Sequence, residues 1–274
     1  MKKLIILAAV LLAALACSPK TYTIIQIADA QLGFDAAVKG SVPGAEYVND
    51  LTFEEEYLKK TVAKVNEIMP DAVVFTGDQV HLPYNLEQWD SFIQIIAGID
   101  PSIKVYHLPG NHDHILKDGT ADPAEFIDRF GSDRFFVQED GLNLIGLNTS
   151  LIYFNSELEQ EQKEWLENVL ESTDKDDVTI VFGHHPYFCE TLDEEDTHVQ
   201  IPKAKRYQYF SLFVEKGVDA VFAGHLHDNR NAEHEGIPML TTTSSAYQLG
   251  DAPASLRLIT VKENKMHEEY IIIE

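Results

Sequence analysis

The sequence predicts an α/β fold in a single domain spanning residues 22–274, and three observations carry that prediction. Apolar runs of strand length alternate with amphipathic segments from residue 22 onward. The C-terminal part, from residue 238, is rich in strand-like segments. No repeat, low-complexity tract or interdomain linker interrupts the alternation. Alternating β and α elements in one continuous stretch favour a layered sheet covered by helices.

The elements follow in order. YTIIQIAD (22–29) reads as a buried strand, and FEEEYLKKTVAKVNEIM (53–69) has helical apolar spacing. Strand AVVFTGD (72–78), helix LEQWDSFIQIIAGI (86–99) and strand IKVYHLPG (103–110) come next. DPAEFIDRF (122–130) carries Asp at a cap position and Pro at the first helical position, where its missing N–H costs nothing. Two strands flank a turn at 139–141, then 157–172 is helical and VTIVFGHH (178–185) is a strand. Pro202 opens and Gly217 closes a helix in which Ala204, Tyr207, Phe210 and Phe213 are expected to share a face. VDAVFAGH and three strands at 238–242, 255–261 and 266–273 complete the chain.

Composition narrows the function classes. The formal charge of −24 disfavours nucleic acid, whose phosphates would be repelled. A bound divalent cation would reverse that field locally for a phosphate. At the N-terminus, Lys2 and Lys3 precede 13 apolar residues, Leu4 to Ala16. That is the length of a signal-peptide core and too short to span a bilayer. ALAC, ending at Cys17, resembles a bacterial lipobox. By that resemblance residues 1–16 are a signal peptide, 17–21 an anchor and short linker, and Cys17 carries lipid. Export to a bacterial cell envelope is then expected, with membrane contact only through Cys17; a plain secretory signal is the alternative. The only other cysteine is Cys189, so a lipidated Cys17 leaves no internal disulfide.

The polar residues fall into a pattern. Asp29 with Gln31, Gly77-Asp78, Gly110-Asn111-His112-Asp113, Gly183-His184-His185 and Gly224-His225-Leu226-His227 each follow an apolar strand. Ligands in α/β sheets bind beyond the carboxyl ends of strands, so the clusters are expected to meet on one rim. The glycines are expected to let the backbone bend there. A single such cluster would read as a surface turn; six of the chain's 11 histidines in these loops, counting His114 directly after Asp113, do not. Oxygen and imidazole donors together suit Mn, Fe or Zn. Seven donors exceed one tetrahedral zinc and suit two ions sharing a carboxylate, about 3.5–4 Å apart.

In this order and spacing the motifs resemble those of calcineurin-like metallophosphoesterases, whose usual form is DxH, GD, GNH(D/E), H and GHxH. The resemblance implies a four-layer αββα sandwich of two mixed sheets flanked by helices. It implies two divalent ions, Mn, Fe or Zn: Asp29, Gln31, Asp78 and His227 around the first, and Asp78, Asn111, His184 and His225 around the second. Asp78 would bridge, and His185 would lie outside the ligand set. Asn111 and His112 would contact the phosphoryl group, and His112 would protonate the leaving oxygen with Asp113 orienting it. A hydroxide held between the metals would attack phosphorus. The substrate would be a phosphorylated small molecule or phosphoprotein. The other reading is a catalytically weak lipoprotein that binds a phosphorylated ligand through the metal site; retention of His112 speaks against it.

Gln31 departs from the usual histidine, although ADAQLGF is similar to a D-x-Q branch of the family, some of whose members act on phosphoprotein. An amide oxygen is a weaker ligand for transition metals than imidazole. His81, three residues past Asp78, would either replace the lost ligand or line the pocket. ETLDEED (190–196) reads as a solvated acidic loop or a mobile lid, and Lys203, Lys205 and Arg206 as a solvated helix start or a phosphate-steering group. Cys189 carries no sign of a reactive thiol.

Overall fold

The computed structural model describes residues 20–274. The apolar run Leu4–Ala16 and Cys17 lie outside the described residues. From the start the chain forms β1 (Thr21–Ile27), α1 (Phe34–Gly40), α2 (Thr52–Ile68), β2 (Ala72–Thr76), α3 (Leu86–Ile96) and β3 (Lys104–Leu108). A 3-10 turn over Asn111–Asp113 leads to the hairpin β4 (Ile115–Lys117) and β5 (Thr120–Asp122), then α4 (Ala124–Phe130). The second half runs β6 (Phe135–Glu139), β7 (Leu142–Gly146), α5 (Thr149–Tyr153), α6 (Glu159–Ser172), β8 (Val178–Phe182) and α7 (Lys203–Lys216). It ends with β9 (Ala220–Ala223), β10 (Arg230–His234), β11 (Ile237–Thr241), β12 (Ser255–Lys262) and β13 (Lys265–Ile272).

Two mixed sheets result, in the orders β13-β12-β1-β2-β3 and β10-β11-β9-β8-β7-β6. Within them β1-β2-β3 and β7-β8-β9-β11 are parallel, so their carboxyl ends point the same way within each sheet. Strand alternation assigns the layers. Ile24 and Val74 enter the core between the sheets with Ile180, Phe182 and Phe222. Their neighbours Ile25, Val73 and Phe75 face α2 and α3 through Leu58, Val62, Trp89 and Phe92. On the other sheet Ile145, Val181 and Val221 meet Leu166, Phe210 and Phe213 of α6 and α7. Both faces of the central strands are buried, as parallel strands require. Each fully buried aliphatic or aromatic side chain contributes about 1.5–3 kcal/mol. The four-layer αββα sandwich is therefore present.

Several elements differ from expectation. The helix expected at 122–130 begins at Ala124; Asp122 Oδ1 accepts the Ala124 N–H at 3.0 Å while Pro123 takes the cap position. The hairpin β4–β5 turns at Asp118-Gly119, both at positive φ, a turn signal the alternation overshadowed. Strand β10 is an edge strand of polar composition, RNAEH, invisible to a search for apolar runs. Most informative is α7. Its buried face is Arg206, Tyr209, Phe210 and Phe213, whereas Tyr207 and Ala204 are exposed. The expected face was rotated because arginine was assumed to be on the surface.

Candidate metal centre

The strand ends deliver their polar residues to one rim by an unusual backbone. Asp29, Gln31, Asp78, His225 and His227 all have positive φ, between 38° and 72°. Non-glycine residues seldom adopt this conformation, and such strain concentrates at functional sites. These candidate donors themselves thus make the sharp bends that the preceding glycines were expected to make. Of the glycines in these motifs, Gly77 alone combines a positive φ with crowding: a Cβ there would lie 2.5 Å from the His184 ring and 2.7 Å from the Gly110 nitrogen. Gly224 is needed for space, since its Cβ would come within 2.5 Å of Asp29 Oδ2. Gly183 likewise leaves room for Thr149.

Backbone carbonyls fix the imidazoles. His184 Nδ1 lies 2.9 Å from Thr76 O, so Nδ1–H donates and Nε2 keeps its lone pair. That Nε2 lies 3.3 Å from Asp78 Oδ2, 3.1 Å from Asn111 Oδ1 and 3.2 Å from His225 Nδ1. Asp78, His184 and His225 each offer a ligand atom within 4.8 Å of the others. Four electron-rich atoms facing one another repel unless a cation or a proton lies among them. Burial opposes charging His184, but Asp78 overrides it and lifts the imidazole to about 9. Burial and the neighbouring His184 push His225 down to about 3. Asp78 is held well below the ordinary carboxylate range, because His184 and His112 outweigh its burial.

The second group of donors is looser. His227 Nδ1 donates to Tyr247 O, turning Nε2 towards Asp29 Oδ1 at 3.5 Å. Asp29 also accepts the His225 N–H, at 2.9 Å to Oδ2 and 3.1 Å to Oδ1, and burial raises its pKa. Gln31 lines the same cavity as Asp78, Asn111, His112 and His227. Its Nε2 lies 3.4 Å from His81 Nδ1, and its buried Oε1 has no partner. A buried amide oxygen without a donor suits a cation. The residues present thus fit divalent ions: imidazole, carboxylate and amide oxygen, with tautomers set by second partners.

The remaining expected residues are placed as follows. His112 donates its backbone N–H to Asp78 Oδ1 at 2.8 Å. Its Nδ1 lies 2.9 Å from His81 O, which leaves Nε2 as the free ring nitrogen. The expected orienting of His112 by Asp113 is not made through a direct bond. Asp113 Oδ2 accepts the Gly110 N–H at 2.8 Å, and Oδ1 accepts those of Gln79 at 3.0 Å and Val80 at 3.3 Å. The carboxylate ties two strand-end loops together, and the carbonyl of His81 orients His112. His81 itself stacks on His112 at 4.7 Å with Nδ1 against Gln31, and burial lowers its pKa to about 4. His185 is buried beside His225, its ring on Tyr153 at 4.4 Å and both nitrogens unpartnered.

Other supporting groups escaped the sequence reading. Thr149 Oγ1 accepts the N–H groups of His184 at 2.9 Å and His185 at 2.8 Å. Ser244 Oγ donates to Asp29 O at 2.6 Å. The segment 190–196 is a largely exposed acidic loop, as expected, but it is tied down from within. Glu194 accepts from the N–H groups of Cys189, Glu190 and Thr191. Arg206, fully buried, donates to Leu192 O, Glu194 O and Ile201 O and pairs with Asp196. Burial raises the Cys189 thiol to about 11, so it stays protonated.

Comparison with known proteins identifies the family. A model of the calcineurin-like phosphoesterase family matches residues 22–229. A zebrafish (Danio rerio) protein named serine/threonine-protein phosphatase CPPED1 is 32% identical over 259 residues, 90% of this chain and 83% of its own. A cAMP/cGMP dual specificity phosphodiesterase of Mycobacterium tuberculosis is 29% identical, covering 82% of this chain and 68% of its own. Among solved structures, a dimetal phosphatase from Danio rerio superposes with a TM-score of 0.63 at 15% identity, over 92% of this chain and 99% of that one. The chain belongs to the calcineurin-like phosphoesterase family.

Proposed function

We propose that this protein is a dinuclear metal-dependent phosphoester hydrolase. As a member of its family it is a metal-dependent phosphoric ester hydrolase; the number of ions and the residue roles are the proposal. The observation that carries it is the convergence of Asp78 Oδ2, Asn111 Oδ1 and His225 Nδ1 on His184 Nε2, within 3.3 Å. His184, His225, Asn111 and Asp78 would hold one ion. Asp29, Gln31, His227 and Asp78 would hold the other. When bound, two such ions supply a water of lowered pKa and neutralise phosphoryl oxygens. Asn111 and His112 then orient the phosphoryl group, and His112 delivers a proton to the leaving oxygen from Nε2, because Nδ1 is fixed on His81 O. His81 is read as the support of Gln31 and His112, not as a ligand. Asp113 acts on His112 only through the loop it ties.

The zebrafish relative's name indicates phosphoprotein and the mycobacterial relative's name a cyclic nucleotide. For this chain a phosphorylated small molecule is the substrate class proposed. Elemental analysis followed by assay on phosphomonoesters, diesters and pyrophosphates with added Mn²⁺ tests the function. Two ions per chain and metal-dependent release of alcohol are expected. A chain that binds metal yet turns over none of them would instead be a binding protein.

The proposal extends to location. The run Leu4–Ala16 followed by Cys17 supports export and lipid anchoring in the envelope. Cys17→Ser is expected to move the protein into the soluble fraction or stall its processing; unchanged detergent partitioning would rule the anchor out.

A further inference from the structure

The metal cavity does not end at the ligands. It has a volume of about 260 Å³, and a second cavity of about 360 Å³ adjoins it. Val199, Leu226 and Leu249 line both, so the two form one groove with an aliphatic sill between them. Beyond the sill the wall becomes polar, with Arg230 paired to Asp228 at 2.9 Å.

Each wall is fixed to the centre. Leu226 sits between the donors His225 and His227, and its N–H donates to Gly224 O at 2.9 Å. The Leu249 N–H donates to His227 O at 3.2 Å. Val199 belongs to the segment that Arg206 holds down, with Tyr153 Oη donating to His198 O at 2.9 Å. Gly250 packs so closely on Asp228 that a Cβ would collide with its carboxylate. The backbone of the sill is therefore anchored to the site, and Leu249 is 64% exposed. An inorganic phosphate or a short alkyl ester at the metal end would leave it uncovered.

We propose that this groove is the subsite for the organic group of the ester. Resting on the hydrolase reading, it selects ring-bearing phosphoesters whose apolar face lies on Val199, Leu226 and Leu249 and whose polar edge meets Arg230 and Asp228. The outer cavity alone, about 360 Å³, falls at the lower end of small-molecule pockets, which run about 300–1,000 Å³. Apolar contact of ring size contributes on the order of tenfold or more in binding.

Two measurements test this separately from the hydrolase reading. The first compares 2-naphthylmethyl phosphate with ethyl phosphate, both primary alkyl esters and so matched in leaving-group chemistry. A kcat/KM ratio of at least about tenfold is expected, carried mostly by KM, and Leu249→Ser should collapse it. The second titrates neutral 2-naphthalenemethanol into the purified protein by fluorescence, which needs no turnover. Saturable binding, weakened at least about fivefold by Leu249→Ser and by Arg230→Ala combined with Leu226→Ser, is expected. A ratio near one, or alcohol binding that Leu249→Ser leaves unchanged, would overturn the subsite. If no phosphoester is hydrolysed while the alcohol still binds at the sill, the function fails and the subsite stands.

Discussion

Around His184 Nε2, three electron-rich atoms stand within 3.3 Å, whereas Gln31 Oε1, equally buried, has no partner. Both regions belong to one rim, and Asp78 is assigned to both. The first is preorganised: its imidazole is locked by Thr76 O, its backbone N–H by Thr149 Oγ1, and the loops carrying Asp78 and Asn111 are tied by Asp113. The second leans on a 3.4 Å contact between an amide and His81 and on a 3.5 Å approach of His227 to Asp29. The difference teaches that one strand scaffold can present two donor groups with unequal preorganisation. Tightness follows from how many second partners fix each donor.

Removing the shared carboxylate should have the largest effect. Asp78→Asn is expected to lower activity about 10³-fold or more and to release both ions together, read by elemental analysis. If both ions stayed bound, the two regions would not share Asp78. His112→Ala should cost about 10²–10⁴-fold while leaving metal content intact. Alkyl phosphates should suffer more than nitrophenyl phosphates; equal losses would remove His112 from the proton transfer.

A smaller effect sharpens the comparison directly. Gln31→His should tighten the weaker ion by about tenfold in Mn²⁺ competition, since imidazole replaces an amide oxygen. His81→Ala should loosen that ion only modestly while changing KM. A complete loss of the weaker ion in His81→Ala would make His81 a ligand.

The least effect on activity is expected at His114, whose signature lies in stability. Its Nδ1 lies 2.7 Å from Gly110 O and its Nε2 3.0 Å from Asn148 Nδ2, so the buried ring is held neutral. Burial lowers its pKa from 6.5 to about 4. The unfolded chain takes up that proton near pH 6.5 and the folded chain only near pH 4. The contribution to stability is therefore full above about pH 6.5 and lost as pH falls towards 4, up to on the order of 3 kcal/mol. His114→Gln should flatten the denaturation midpoint over that window. An unchanged pH slope would show that the ring is protonated in the folded protein.

Much of this was legible in the sequence, and the reason is physical. Strand ends are marked by apolar runs, and a ligand must follow its strand immediately, so Asp29, Asp78, Asn111, His184 and His225 stand out in one dimension. Residues that act through the backbone do not. The carbonyl of His81 orients His112, and no side-chain type announces a carbonyl. The resemblance places Asp113 as the orienting group of His112, whereas its carboxylate reaches Gln79 and Val80. Arg206 misled for the opposite reason. A charged residue at a helix start reads as solvated, yet the carbonyls of Leu192, Glu194 and Ile201 converge on it and permit burial.

The most direct measurement is a calorimetric titration of metal-free protein with Mn²⁺, repeated on His225→Ala and Gln31→Ala. Two ions per chain are expected in two affinity classes at least about tenfold apart, the tighter lost in His225→Ala and the weaker in Gln31→Ala. A single ion per chain, or loss of the tighter class in Gln31→Ala with His225→Ala unaffected, would contradict the account.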